Sequence, residues 1–568
     1  MTLARIATVP GSALAVEAIG HAREALRAAF NSPSRVIFEV PCGDGPVTAC
    51  VTLRINGRVR GCWSAKAHGT NAAISAATFK ALGDPRRNPL SRADIEKVSI
   101  EVWLRIDVEP IVCAQPDMVG GVYGLEVRGL DRSAYYLPAV AIERAIDDAA
   151  DLQDRVFRKA RLWSTGSRNS ASLFRTSWRH LVEGPQGAPP LELRRLLKKT
   201  SAGEIPVPLR DTAAKLSQHL VGLQRADGSY IYAQNPIAGS IKDVGTSPVR
   251  LIGCTLALQR LRTALAHAAL PASDLEHDAP TSGALDDAIG LGASWIQNRL
   301  VETSGRVRFQ RANAPQQLGS AAFSAMTLSA LPSSAGRKRM LALLDATLRG
   351  AIRNDGSFAS DLNPLSASDV NHFGPGQAIL ALAILSDQED ETNSWVDAAF
   401  SFYAPGATPG ANPFFVAWQL KAWSMVAIRT GRCEHADMAY RLADIVLGYQ
   451  IKDGEADERG GFAVSVNGYS RRPPSFLAAL FTEALLSAVR LSEHRGESVR
   501  GSLWRDSVVE GLDFLVRLIV EPYQSFLFRP SINPCGGIRR DLASFEMRCD
   551  YTMHAGTCVA AALAMGFA

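Results

Sequence analysis

The chain has 568 residues, 61 of them basic and 56 acidic, with 47% hydrophobic and 21% charged content. At about 100–200 residues per domain this implies two to four domains with large cores, and a charge so near balance, without a block of five like charges, argues against nucleic-acid binding. Nine scattered cysteines do not read as a disulfide framework, and with no apolar run of about 18 residues and an N-terminus broken by Pro10, Gly11 and Glu17, the expectation is a cytoplasmic protein without a membrane partner.

The first informative stretch is VTLRINGRVRGCWSA. Apolar and polar residues roughly alternate over Val51–Ile55 and Val59–Trp63 around Asn56-Gly57, which predicts a two-residue hairpin with Cys62 on its second strand. A helix is predicted over Asn71–Ala81, then a turn at Asp84-Pro85. Further along come SRADIEKVSIEVWLRIDVEPI, the glycine-rich GGVYGLEVRG, Leu137–Val140, and RKARL before Trp163. This order of motifs resembles the AMMECR domain family, also known as protein A of the AmmeMemoRadiSam system, whose signature is a strand followed by Leu-Arg-Gly-Cys-Ile-Gly. Arg60, Gly61 and Cys62 match, while Trp63-Ser64 stands at the family's Ile-Gly and Ala160-Arg161 at its Ala-Gly. The resemblance covers roughly residues 1–185 and implies an α+β fold; it implies no particular reaction.

Within this region Cys62 is the candidate nucleophile. Arg58, Arg60 and Lys66 would lower its pKa, His68 is close enough in sequence to be its base, and Arg60 and His68 are expected beside substrate. The alternative is a cysteine buried for packing. Asp147-Asp148-Ala149-Ala150-Asp151 spells an aspartate-rich diphosphate pattern, but it occurs once beside Glu143 and reads as a solvated acidic helix face.

The proline-rich stretch over residues 186–206 is read as a linker, with Arg194–Lys199 as an exposed linker helix. From 207 to 568 twelve helical segments alternate between two kinds. Amphipathic ones are expected at Leu209–Leu223, Leu285–Leu300, Arg337–Ile352, Ser394–Tyr403, His435–Tyr449 and Leu503–Ile519. The others are apolar nearly all round, among them GPGQAILALAIL and PSFLAALFTEALLSAVRL. A helix apolar on every face is buried on every face, and six buried helices alternating with six half-exposed ones predict a closed (α/α)6 toroid. Asp227-Gly228-Ser229-Tyr230, Asp355-Gly356-Ser357-Phe358, Gly460-Gly461-Phe462 and Gly536-Gly537-Ile538 repeat ahead of inner helices. The pattern resembles the superfamily of terpenoid cyclases, protein prenyltransferase beta subunits, lantibiotic cyclases and glycan-processing enzymes. The fold class is therefore multidomain, an α+β domain followed by an all-α toroid.

Polar residues in the first turns of the inner helices would face the funnel of such a ring. They are Arg250, Gln317, His372, Trp418, Glu483, Asp550, Tyr551 and His554, with Asp361 and Asp369 from a long loop and Asp227, Tyr230 and Tyr232 at the rim. Glu483, in an apolar helix, is expected to have a raised pKa and act as general acid, or else to pair with Arg250. Asp361 is a second candidate acid, and His372, His554 and Asp550 complete the catalytic set. Arg250 would fix an anionic group of the substrate, with Tyr230, Trp418 and Tyr551 contributing to binding. His554 and Cys558 lie one helical turn apart, and the run ending there is similar to the close of the prenyltransferase beta subunit, so a zinc site of Cys535, His554 and Cys558 is a rival reading.

The expectation is a two-domain enzyme whose funnel performs acid-base chemistry on a glycan, peptide or natural-product intermediate, with a cysteine-dependent step in the first domain and no cofactor. The rivals are a zinc-dependent transferase or cyclase, and a non-catalytic scaffold that binds a protein partner.

Overall fold

The computed structural model describes residues 11–31, 46–185, 187–199, 208–243, 247–267, 280–310, 312–365, 373–386, 392–466, 469–470 and 473–567. His372 and Asp369 of the expected funnel set lie outside the described residues.

The N-terminal unit begins with α1 (Gly11–Asn31), β1 (Pro46–Ile55), β2 (Arg58–His68) and α2 (Thr70–Leu82). Asn56 and Gly57 both have positive φ, 52° and 71°, as a tight two-residue hairpin requires. β3 (Ser99–Ile111), β4 (Gly124–Arg128), β5 (Ser133–Tyr136), α3 (Ala139–Glu143), α4 (Ala149–Lys159) and β6 (Ser172–Val182) follow. The strands form one antiparallel sheet in the order β2-β1-β3-β6-β4-β5. Alternation sends Val51, Leu53, Val102 and Leu104 to the face covered by α1 and α2, where they meet Leu14, Leu26, Ile74 and Ala77. The other face carries Thr52, Arg54, Glu101 and His180, all buried. Polar groups removed from water need partners and a second cover.

Part of that cover comes from the stretch expected to be a linker. Leu191–Arg194 (β7) and Leu197–Lys198 (β8) form a hairpin that extends the sheet from β6. The expected exposed helix over Arg194–Lys199 is instead strand, turn and strand, because Arg195 and Leu196 take left-handed conformations with φ of 51° and 62°. Three hydrogen bonds from the C-terminal unit hold that turn: Gln524 Nε2 donates to the Leu196 carbonyl at 2.7 Å, and Arg539 Nη1 and Nη2 both donate to that of Arg195 at 3.3 Å.

The C-terminal unit contains α5 (Leu209–Leu223), α6 (Pro248–His267), α7 (Ser282–Gln297), α8 (Gln317–Ser329), α9 (Ala335–Arg349), α10 (Phe373–Leu385), α11 (Thr392–Tyr403), α12 (Pro413–Thr430), α13 (Cys433–Leu447), α14 (Ser475–His494), α15 (Ser498–Arg517) and α16 (Cys549–Ala564). The even-numbered helices from α6 to α16 pack each against the next, and α16 closes the ring on α6. The odd-numbered ones form the outer layer, so this unit is an (α/α)6 toroid. Helix ends follow local chemistry. α12 starts where the Asn412 side chain accepts the Phe414 N–H at 2.9 Å ahead of Pro413, and stops at left-handed Gly431. The repeated loops share one device: Gly356 has φ of +87°, and a Cβ there would lie 2.0 Å from the Ala398 carbonyl oxygen. Gly228, Gly460 and Gly536 sit in the same way against the chain of a neighbouring outer helix. Among the described residues, the helix long and apolar enough to cross a membrane is α14, which is an inner helix buried in the ring.

The two units share a core. Cys50, Trp103, Val182 and Leu193 pack with Val520, Phe526, Phe528, Phe545 and Met547 of the toroid. The hairpin tip fits the same surface, since a Cβ on Gly57 would lie 2.4 Å from the Phe528 carbonyl oxygen.

Candidate functional site

Cys62 stands on the edge strand β2 where the hairpin register slips. Leu53 pairs with Gly61 but Arg54 pairs with Val59, so Arg60 is an extra, bulged residue. Gly61 is required there, because a Cβ would meet the Ala81 carbonyl oxygen at 2.0 Å. The slip sets Cys62 opposite Thr52, on the polar face, diagonal to Cys50. The two sulfurs are 3.8 Å apart, and the Thr52 hydroxyl donates to Cys62 Sγ at 3.3 Å. The Cys62 backbone is fixed as well: its N–H donates to Asp84 Oδ2 at 3.2 Å and its carbonyl accepts from Arg86 Nη2 at 2.7 Å.

This arrangement polarises the pair. The hydrogen bond from Cys50 brings the Cys62 thiol down to about 7, against the opposing effect of burial and with help from Thr52 and the Lys159 ammonium. Cys50 is pushed upward because it donates to Cys62 and is buried. Cys62 is the thiolate of the pair and is only partly buried, whereas Cys50 is 1% exposed.

Behind the thiols runs a buried ionic chain. Arg54 pairs with Glu101 and donates to Glu143 Oε1 at 2.7 Å, while His180 Nε2 lies 2.9 Å from Glu101 Oε2. His180 stacks on Trp103 with ring centroids 3.7 Å apart, and Trp103 is the direct cross-strand neighbour of Cys50. Trp103, Trp178 and His180 line a cleft of about 280 Å³ closed on one side by Arg195, Leu196 and Lys199. The sheet face thus carries a thiolate on its edge strand and, two to three strands away, a small cleft with an aromatic floor that neither thiol lines.

Two expectations for Cys62 are corrected. His68 is at the far end of β2, opposite Pro46; it lies six steps along the strand from Cys62, about 20 Å, so it cannot be the base. Arg60 is the bulged residue, and the side chains that act on the Cys62 thiol are Cys50, Thr52, Glu101 and Lys159 instead. Cys50, Thr52, Glu101, Lys159 and His180 were not singled out from sequence.

Among the described residues the middle of the toroid is filled. Glu483 Oε2 is 2.7 Å from Lys421 Nζ, its Oε1 accepts from Arg260 Nη1 at 2.8 Å, and Thr557 donates to it at 3.2 Å. Burial opposes its charge, but Lys421 and Arg260 outweigh burial and hold the carboxyl at about 2. The expected raised pKa and the pairing with Arg250 are both corrected: Glu483 is a fixed anion in a structural triad. Lys421 also lies over the Trp418 ring at 4.2 Å. His554, in the same cluster, is lowered to about 4 by burial and stays neutral at pH 7. The space left among these side chains is about 10 Å³, at the lower limit for one water.

The remaining funnel candidates divide between mouth and scaffold. Arg250 Nε lies 3.1 Å from Asp550 Oδ2, Arg548 Nε donates to Asp550 Oδ1 at 2.9 Å, and Arg548 lies 4.6 Å over Tyr551. Tyr551, Phe476, Phe414 and Phe373 continue as an arc of ring contacts 5.8 to 6.2 Å apart along the inner-helix starts. Tyr230 is a core residue, 1% exposed, its hydroxyl accepting from Gln224 Nε2 at 3.1 Å. Gln317 bonds the backbone of Phe309 and Ala312. Asp361 accepts the Asn363 N–H at 3.0 Å within its own turn.

The zinc triad is not assembled. Cys535 lines a separate cavity of about 390 Å³ with Lys215 and His219 of α5, whereas His554 and Cys558 face the barrel core. Among the described residues no group of three or more His, Cys, Asp or Glu side chains could hold a metal ion. In the aspartate-rich run, Asp147 meets Arg540 of the toroid at 3.2 Å and Asp148 caps α4, so that face is partly structural.

The AMMECR1 family model matches residues 14–177. An uncharacterised protein from Pyrococcus horikoshii is similar over 32% of this chain and 96% of its own, at 19% identity and a TM-score of 0.27. Cellobiose 2-epimerase from Bacillus thermoamylovorans is similar over 63% of this chain and 99% of its own, at 9% identity and a TM-score of 0.46. Unsaturated glucuronyl hydrolase from Bacillus sp. is similar over 62% and 95%, at 10% identity and a TM-score of 0.45. No curated protein matches the chain. The chain thus joins a unit similar to the AMMECR1 family over residues 14–177 to a ring of six inner and six outer helices.

Proposed function

We propose that this AMMECR-toroid protein is a thiol-dependent enzyme in which Cys62 is the nucleophile and the toroid is the wall that completes and stiffens the AMMECR domain's polar face. The observation that carries this reading is the pair of contacts at Cys62 Sγ, with the Cys50 thiol at 3.8 Å and with the Thr52 hydroxyl, which donates at 3.3 Å. Such donors stabilise a thiolate at neutral pH without a histidine base. The thiolate would attack an electrophilic carbon of a small molecule or peptide, and the cleft beside Trp103 and His180 would hold its body. The closed barrel interior favours this site over the funnel, because a carboxylate clamped by two cations is a poor proton donor at pH 7.

Alkylation of the native protein with iodoacetamide, read by mass spectrometry across pH, tests the proposal. Cys62 is expected to react with a midpoint near 7, while Cys254, Cys549 and Cys558 stay unmodified. Failure of Cys62 to react at pH 8, with exposed Cys113 and Cys433 labelled, would overturn it.

The toroid mouth supports a second reading. Arg250 and Arg548 around Asp550, together with the aromatic arc from Tyr551 to Phe373, make a surface that could stack sugar rings and hold an anionic group. A glycan substrate there would bind with an affinity lowered by Arg250→Ala. Equal binding by both proteins would remove this reading.

A further inference from the structure

We propose that Cys50 and Cys62 form a hydroperoxide-responsive dithiol, in which Cys62 is oxidised first and Cys50 resolves it as an intramolecular disulfide. The inference rests on the reading of Cys62 as a nucleophile and adds a role for Cys50 that catalysis at Cys62 does not need.

Three observations carry it. The bulge at Arg60 puts both thiols on the same face, 3.8 Å apart. Their burial differs in the useful direction: Cys62 is partly open, while Cys50 is 1% exposed and is reached through its neighbour. Among the described residues β2 lies at the sheet edge, pairs with β1 and is bulged two residues from Cys62, so the bulge can take up the closure while Asp84 and Arg86 keep hold of the Cys62 backbone. A disulfide needs the sulfurs at about 2 Å, so closure draws the edge strand inward by a small local shift. A bond made under such a constraint is readily reduced again.

The chemistry balances with a hydroperoxide as oxidant. The Cys62 thiolate attacks the distal peroxide oxygen, an S–O bond forms, the O–O bond breaks, and the alkoxide leaves as alcohol with a proton from water. Cys50 then attacks the sulfenic sulfur. The S–S bond forms, and hydroxide departs as water with the Cys50 proton. Two thiols lose two electrons and the peroxide gains them. Closing the bond removes the nucleophile, so oxidation switches the site off and a thiol reductant restores it.

The molecule contains its own control. Cys254 and Cys549 are also neighbours, but both are buried on inner helices, and Cys254 Sγ donates to the Arg250 carbonyl at 3.3 Å. Proximity without access should leave that pair reduced.

The test treats the full-length protein with tert-butyl hydroperoxide, blocks free thiols, and maps peptides by mass spectrometry. The expected product is a Cys50–Cys62 cross-linked peptide that disappears on reduction, with Cys254 and Cys549 unlinked. In Cys50→Ser the reaction should stop at a Cys62 sulfenic acid trapped by dimedone. If wild type gives the same sulfenic acid as Cys50→Ser and no cross-link, the dithiol proposal is overturned although Cys62 remains a nucleophile. If Cys62 neither oxidises nor reacts with iodoacetamide, both proposals fall.

Discussion

Thr52 and Cys62 face each other across β1 and β2, and the Thr52 hydroxyl points its proton at the Cys62 sulfur from 3.3 Å. A hydrogen bond to a charged acceptor contributes about 1.5–3 kcal/mol, and 1.36 kcal/mol is about one pH unit of titration. Thr52→Val keeps the branched shape that suits the strand and removes the donor. The alkylation midpoint of Cys62 should rise by about one unit, with thermal stability nearly unchanged. An unmoved midpoint would show that the hydroxyl does not stabilise the thiolate.

The Gly61 position links fold to reactivity. Any side chain there strikes the Ala81 carbonyl oxygen, which closes α2 against β2. Gly61→Ala should cost about 1–3 kcal/mol through overpacking. Because relief requires the edge strand to move, the Cys50–Cys62 distance changes with it. The variant should therefore melt lower and lose the low-pH alkylation of Cys62 together. Loss of stability with normal reactivity would separate the bulge from the thiol geometry.

Glu483 sits at 4% exposure between Lys421 and Arg260. Removing its charge leaves Lys421 buried without a counter-ion, and breaking a buried pair from one side costs about 3–5 kcal/mol. Glu483→Gln should lower the melting temperature clearly, yet leave alkylation of Cys62 intact in the folded protein. The pH dependence follows from the depressed carboxyl. The triad contributes fully above the unfolded carboxylate range, and its contribution fades as pH falls toward about 2. In Glu483→Gln the acid side of the stability profile should be flatter. A variant as stable as wild type at pH 7 would contradict a structural ion triad.

Periodicity carried most of the fold. The N-terminal hairpin, the twelve helices and the repeated glycine loops were legible because each is a local signal: a turn pair, an apolar period, or a left-handed position that only glycine occupies easily. The thiol site was legible only as Cys62. Counting back from the Asn56-Gly57 turn without a bulge sets Cys62 opposite Val51, beneath α2; the extra Arg60 moves it opposite Thr52. That one-residue slip is a tertiary result of Gly61 meeting α2, so the pairing with Cys50 could not be counted out in advance. Glu483 failed for a similar reason: its helix announces a buried carboxylate, but the sign of its pKa shift depends on Lys421 from another helix.

The least legible feature was the join between the units, and it makes a prediction of its own. Residues 191–198 look like a connector by composition, yet they pair with β6 and bring Leu193 and Leu196 into a core with Trp103, Phe526 and Phe528. The polar chain of Arg54, Glu101 and His180 lies on the same sheet face and is kept from water in part by that toroid surface. A chain of residues 1–199 alone would expose Cys50, Trp103, Val182 and Leu193, an apolar patch large enough to bind a hydrophobic dye or self-associate. It should bind 1-anilinonaphthalene-8-sulfonate more strongly than the full chain and melt at lower temperature, and Cys62 should lose its low alkylation midpoint as the loosened sheet lets Cys50 and Thr52 drift from its sulfur. If the isolated domain were monomeric, dye-silent and equally reactive at Cys62, the toroid would contribute nothing to the thiol site, and its role would move to its own mouth.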